Sequence, residues 1–369
     1  MGRAAVEMMR VFLCGPLASD GLRQRVLGSD PDGVPARLAD HALGAAGATV
    51  SPMPAPGASV AGLVMELGAE AGARLLHYQT ATGHEARTLA VAGGPALVFF
   101  APPEGLEPWD EAAWGALWGP IVAATAGDVM ALWPEVPAER IARRYRLMLV
   151  QGASRVRAAA DPGPARRRHA AQPGDVRIVR RSQPYANFFA VEEYDLSFRS
   201  FGGGMSPTLN RAVFISGDAV TVVPYDPARD RVLLIEQFRP GPLGRGDAQP
   251  WLLEPIAGRV DPGETPEAAA RREAVEEAGL NLGALLPVAS YYPTPAAKAE
   301  YLYSYVALAQ LDDGIEGIFG MEGEGEDIRG HLMSFDEMMA LIRSGEICNG
   351  PLLLTAFWLD RERPRLRGE

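Results

Sequence analysis

Glu273, Glu276 and Glu277 fall within five residues of one another inside GRVDPGETPEAAARREAVEEAGL, which runs from Gly258 to Leu280. Residues four apart share a helix face, so on a helix Glu273 and Glu277 project into one small volume. Two carboxylates held that close repel unless a cation sits between them, and hard oxygen ligands suit Mg²⁺ or Mn²⁺. Acidic runs also commonly decorate solvated helix faces, and taken alone the glutamates fit that reading equally well. The surrounding residues favour a helix beginning just before them. Thr265 can cap the first turn, Pro266 fits the first helical position, and alanines follow. Gly258, Asp261, Pro262 and Gly263 mark a tight loop ahead of it.

The spacing decides between the two readings. Gly258, Glu264, Arg272-Glu273, Glu276-Glu277, Gly279 and the aliphatic Leu280 stand at every fixed position of the Nudix signature, with Ala274 smaller than the aliphatic residue usual at its place. The segment is identified on these residues as a member of the Nudix family, and the resemblance implies hydrolysis of a nucleoside diphosphate linked to another moiety. The flanks VTVVPYDPARDRVLLIEQFRPG, WLLEPIAGRVDPGE and EGEGEDIRGHLMSFDE resemble the ADP-ribose pyrophosphatase branch from about Val176 to Arg363. That branch implies a homodimer with exchanged N-terminal strands, a divalent-metal cluster, and AMP and ribose 5-phosphate as products.

Carried over by position, the resemblance gives metal ligation to Glu273, Glu277, Glu326 and the backbone carbonyl of Ala257. It gives Glu324 the role of base toward the attacking water. Arg272 and Glu276 complete the catalytic set, Arg272 by orienting Glu273 and its neighbours through ion pairs. Arg211 and Arg239 match substrate arginines, whose guanidinium forks suit phosphate oxygens. Phe188 and Tyr185 match the aromatic position that stacks on adenine, although aromatic residues also favour strand cores. Glu300 closes a substrate loop that in the family commonly runs Ser-Pro-Gly-Gly before a glutamate. Here the loop is Thr294-Pro295-Ala296-Ala297-Lys298-Ala299-Glu300. Alanine does not share the freedom of glycine at positive φ, so the altered loop opens GDP-mannose or another nucleoside diphosphate sugar as an alternative substrate. An ADP-ribose-binding regulatory protein is a third reading, which the intact acidic set disfavours.

These residues must be positioned by a chain of 369 residues, long enough for two domains. From Val176 onward, β-type stretches precede and follow the acidic helix, and helices from Ser334 to Ser344 and Pro351 to Arg361 come last. This order predicts an α/β/α sandwich with a mixed sheet over 176–369. Residues 161–175, rich in Pro, Gly and Arg without periodicity, read as a linker. Residues 1–160 read as a smaller α+β domain, with strands at VFLCGPL and ALVFF and helices over Glu111–Met130, broken at Pro120, and over Ala138–Ala160. VFLCGPLASDGLRQRVLG and LLHYQTATGHEARTLAV resemble the γ-glutamylcyclotransferase-like fold, with Cys14 and Pro16 departing from the usual turn. Gln79 stands where the family carries its acid/base glutamate. A glutamine cannot shuttle a proton, so this domain is expected to be non-catalytic and retained for binding, dimerisation or regulation. Glu85 is too far along the chain to substitute without rearrangement, and no metal spacing joins His77 and His84.

A net charge of −11 argues against nucleic-acid binding despite the arginines between Arg140 and Arg168, and points to small-molecule partners. Two distant cysteines, Cys14 and Cys348, suit a reducing cytoplasm. The opening residues lack the apolar run of a signal peptide, position 6 lacks the Ser or Thr that myristoylation needs, and no stretch is long enough to span a bilayer.

Overall fold

The computed structural model describes residues 8–321 and 325–368. The chain separates into two compact units, one of residues 1–175 and 185–188, the other of residues 176–184 and 189–369.

In the first unit the order is β1 (Met9–Cys14), a 3₁₀ turn (Gly15–Ala18), α1 (Asp20–Leu27), β2 (Val34–Ala46), β3 (Thr49–Leu67), α2 (Ala69–Ala81), β4 (Glu85–Val91), β5 (Gly94–Phe100), β6 (Glu107–Pro108), α3 (Glu111–Leu117), α4 (Gly119–Ala131), α5 (Ala138–Ala142) and α6 (Tyr145–Ala160). The strands form one sheet in the order β4-β5-β1-β3-β2-β6, with β1 parallel to β5 and antiparallel to β3. Val11 and Leu13 face a core shared with Leu75, Val122, Val129 and Met148, while Phe12 joins a second cluster on the opposite face. This is the alternation a strand imposes.

One element of this unit was not anticipated, and one expectation needs correction. The long β2–β3 hairpin was not read as strand, because Pro52, Pro54, Pro56, Gly57 and Gly62 disguise it. Its register shifts between Ala39 and His41, where Asp40 takes a positive φ of 57° and its carboxylate accepts the Gly57 N–H at 2.9 Å. The single helix expected over Ala138–Ala160 is two. Arg144 leaves helical geometry at φ −123°, ψ 10°, and is buried between them without a Gly or Pro to announce the break. Pro120 does start a new helix, in the first turn of α4.

The second unit contains β7 (Val176–Ala186), β8 (Ala190–Phe198), β9 (Leu209–Ile215), β10 (Ala219–Asp226), β11 (Arg231–Phe238), α7 (Pro240–Arg245), β12 (Trp251–Glu254), β13 (Ile256–Arg259), α8 (Pro266–Ala278), β14 (Leu285–Tyr291), β15 (Lys298–Ala299), β16 (Leu302–Leu308), β17 (Ile318–Phe319), β18 (Ile328–Ser334), α9 (Phe335–Ser344) and α10 (Gly350–Arg367). Its main sheet runs β14-β16-β10-β11-β18-β17, with β12 paired to β11 and β13 to β10. It is mixed, since β10 and β16 are parallel and the other recorded pairs antiparallel. A separate sheet has the order β15-β9-β8-β7.

The central strands are apolar on both faces because both are covered. On one side Val220, Val222, Leu233 and Ile235 pack with Ala269, Ala270, Ala274 and Ala278 of α8. On the other, Val223, Tyr225, Val232 and Leu234 pack with Phe335 and Met338 of α9 and with Leu352, Ala356 and Leu359 of α10. The result is an α/β/α sandwich. Helix α10 continues past Arg361, where the sequence reading ended it, and its last turns are tied down by Arg363 and Arg367 on Asp230. No helix among the described residues is long and apolar enough to cross a membrane.

Candidate active site

Helix α8 begins and ends as its sequence dictates. The Thr265 hydroxyl accepts the Ala268 N–H at 3.2 Å, Pro266 occupies the first turn, and Gly279 closes the helix at φ 60°. Its sheet-facing side consists of alanines, each contributing only about 0.8 kcal/mol per buried methyl-sized group. Small side chains let the helix lie close to β10 and β13, and Ala274 is fully buried at that contact. The same close approach carries Glu273 and Glu277 into the protein, 9% and 2% exposed respectively.

Glu277 accepts the Ala257 N–H through Oε2 at 2.9 Å. Ala257 lies opposite Thr221 in the antiparallel β10–β13 pair. A strand residue directs its N–H and C=O to the same flank, so the Ala257 carbonyl shares the Glu277 side of β13. Glu273 lies directly against Gly258: a Cβ built on that glycine would be 1.8 Å from Glu273 Oε1. Burial raises Glu273 to about 7 and Glu277 to about 8, and repulsion from each other's neighbourhood, including Glu326, adds to it.

Arg272 ties the motif together. It donates to Glu273 Oε1 at 2.6 Å, to Glu276 Oε2 at 2.9 Å, to both oxygens of Glu264 at 3.1 Å and to the Arg259 carbonyl at 2.9 Å. Burial alone would lower its affinity for a proton, but the carboxylates outweigh that and raise it. Glu264 in turn accepts the Asp261 N–H at 3.2 Å, fixing the loop before the helix. One guanidinium thus sets the loop, the strand end and two helix carboxylates in a common frame.

The donor set suits a hard cation. Two buried carboxylates with raised proton affinity, only one of them paired with Arg272, a third that repels them and a backbone carbonyl on the same flank are hard oxygen ligands. The set is not drawn tight: among the described residues no three acidic, His or Cys side chains converge as a metal-holding group. Glu326 instead accepts the Met321 N–H at 3.2 Å.

Residues 216–353 match the NUDIX domain. An ADP-ribose pyrophosphatase of Escherichia coli (strain K12) is 37% identical over 193 residues, covering 52% of this chain and 91% of that protein. One from Haemophilus influenzae is 33% identical over 186 residues, 50% of this chain and 85% of that protein. A GDP-mannose pyrophosphatase of Salmonella choleraesuis is 30% identical over 176 residues, 47% of this chain and 89% of that protein. The chain belongs to the Nudix family.

The other residues singled out in this Nudix chain stand on different elements. Arg239, at the end of β11, lies within electrostatic range of Glu277 and Glu326 and donates twice to Glu254 Oε2, at 2.9 and 2.6 Å. Arg211, Tyr185 and Phe188 belong to the β7–β8–β9 region of the separate sheet. The Arg211 guanidinium donates to the Asn210 carbonyl at 2.7 Å, and Tyr185 and Phe188 are 54% and 59% exposed, so neither is a strand-core residue. Glu324 lies outside the described residues. Glu300 accepts from Ser216 Oγ at 3.2 Å and pairs with Lys298 at 2.7 Å. The altered loop turns without positive φ at Ala296 or Ala297, through bonds from the N–H groups of Ala297 and Lys298 to the Thr294 carbonyl at 3.1 and 2.9 Å.

Glu254 was not foreseen. It is 4% exposed, accepts from Arg239, and accepts from Asn349 Nδ2 at 3.1 Å, while the Asn349 carbonyl oxygen Oδ1 caps α10. Its sequence context, WLLE, only offered a carboxylate at the end of an apolar strand. The partnership across about a hundred residues with Asn349 leaves no local signal.

Proposed function

We propose that this Nudix chain hydrolyses the diphosphate of ADP-ribose to AMP and ribose 5-phosphate. The observation that carries this reading is the buried pair Glu273 and Glu277, held against Gly258 and Ala257 in a chain related to ADP-ribose pyrophosphatases over most of their length.

Glu273, Glu277, Glu326 and the Ala257 carbonyl would hold Mg²⁺ or Mn²⁺. A divalent cation bound there supplies neutralisation of the diphosphate charge and lowers the pKa of water. Arg272 keeps Glu273 and Glu276 in fixed orientation. Arg239, already oriented by Glu254, directs its guanidinium to a phosphate oxygen. Glu324 takes the proton of the attacking water. Arg211 contacts the substrate, and the aromatic rings of Phe188 and Tyr185 stack on adenine across a homodimer. Exposed Val176, Ile178, Val179, Phe198 and Phe201 on or beside the β7–β8 strands support such an interface.

A GDP-mannose activity is the second reading, favoured by the Lys298–Glu300 pair, which engages a carboxylate otherwise available to sugar hydroxyls. A panel of ADP-ribose, GDP-mannose and UDP-glucose, each with Mg²⁺, separates the two. ADP-ribose should give the highest kcat/KM; preference for GDP-mannose would transfer the assignment to the second reading. Glu324→Gln should lower kcat by at least about a hundredfold with KM nearly unchanged.

A further inference from the structure

The first unit contains a pocket of about 60 Å³ that opens to solvent, lined by residues of β1, the 3₁₀ turn, β3, α2, α4 and α6. Its walls are mainly apolar and aromatic, and no Asp, Glu, Lys or Arg lines it. The titratable groups that do line it stay uncharged near neutrality. Burial raises Cys14 to about 12 and raises Tyr78 and Tyr145, which bond to each other, and burial lowers His84.

Most of the polar groups in the lining already have partners. His84 Nδ1 meets Thr82 Oγ1 at 3.0 Å and His84 Nε2 meets the Val50 carbonyl at 3.3 Å, while Thr82 Oγ1 also donates to the Gln79 carbonyl at 3.1 Å. The side-chain amide of Gln79 is different. The residue is 5% exposed, lines the pocket, and its amide makes no hydrogen bond to any described residue. The amide donor and acceptor are therefore both open to whatever occupies the pocket. A second amide satisfies donor and acceptor together in one planar pair, and the neutral walls leave a charged ligand no counter-ion.

We propose that this pocket binds a small uncharged carboxamide with an apolar or aromatic body, paired amide to amide with Gln79. The site is a binding site, because the Gln79 amide cannot exchange a proton with what it binds.

The test uses the full chain with benzamide and nicotinamide as probes and nicotinate as the charged counterpart of nearly identical shape. Isothermal titration should show saturable binding of the two amides, with Tm raised by roughly 2–4 °C at saturation, and at least about tenfold weaker binding of nicotinate. Gln79→Leu should weaken amide binding at least about tenfold while leaving the ligand-free Tm unchanged or higher, since it replaces an unpaired polar group by an apolar one of similar size. Gln79→Met should behave in the same way and guards against a packing defect peculiar to leucine. The proposal is overturned if the wild-type chain binds neither amide, if nicotinate binds as tightly, or if both variants keep wild-type affinity. It is equally overturned if both variants lower the ligand-free Tm, which would make the amide a structural group.

Discussion

Gly258 is required for space, not for backbone freedom. Its φ lies outside the left-handed region, but any Cβ would collide with the Glu273 carboxylate at 1.8 Å. Gly258→Ala is therefore expected to displace a metal-site carboxylate and to reduce kcat by about a hundredfold or more, with a far smaller effect on Tm; steady-state kinetics beside a melting curve checks this. Glu254→Ala is expected to act on two fronts. It frees Arg239 from its fixed orientation, raising KM, and it strips a partner from a mostly buried ion pair, costing about 3 kcal/mol in a denaturant titration. At this scale the acidic helix was legible because five charged residues stand at fixed spacing on one short segment. Arg272 could be read as an organiser for the same reason, its partners Glu264, Glu273 and Glu276 being close in sequence. Glu254 and the Lys298–Glu300 pair were not legible, since their meaning lies in contacts made only after the strands assemble.

Helix α10 illustrates what an element needs beyond its own periodicity. Asn349 caps its start through a bond from the Leu352 N–H at 3.0 Å, and Asp230 anchors its end through Arg363 and Arg367 while accepting the Tyr225 hydroxyl at 2.9 Å. Burial alone would raise the Asp230 pKa, but Arg363 and Tyr225 outweigh it and hold the carboxylate below its ordinary 3.8. A depressed folded-state pKa stabilises the fold above the unfolded value, and that stability is lost as the pH falls through the lower folded value. Asp230→Asn should accordingly cost about 1.5–3 kcal/mol at pH 7, and the difference from wild type should shrink as unfolding is measured from pH 5 toward pH 2. An undiminished difference at low pH would show that the carboxylate charge is not what secures α10. The end of this helix was misplaced in the sequence reading because its last turns depend on Asp230, more than a hundred residues away. The β2–β3 hairpin was missed for a related reason: its prolines and glycines suppress strand propensity, and long cross-strand pairing overrides them.

Across the whole molecule, two compact units divide near residue 175, and the alternation of strands around one acidic helix conveyed the sandwich. The separate β15-β9-β8-β7 sheet was not distinguishable from the main one, because strand propensity carries no record of which neighbours pair. Its exposed apolar residues lead to an expectation at this scale: sedimentation should give twice the 39.4 kDa of one chain, and replacing both Val179 and Phe201 by Glu should yield monomer with reduced activity. The proposed hydrolysis of ADP-ribose requires Glu277 as a metal ligand. The most direct measurement compares AMP release from ADP-ribose by the wild-type chain and Glu277→Gln across a Mg²⁺ titration. Wild type should release AMP and ribose 5-phosphate in equal amounts, and the variant should be slower by about a thousandfold with no recovery at saturating Mg²⁺. Near-wild-type turnover by the variant at high Mg²⁺, or no AMP from the wild-type chain, would contradict it.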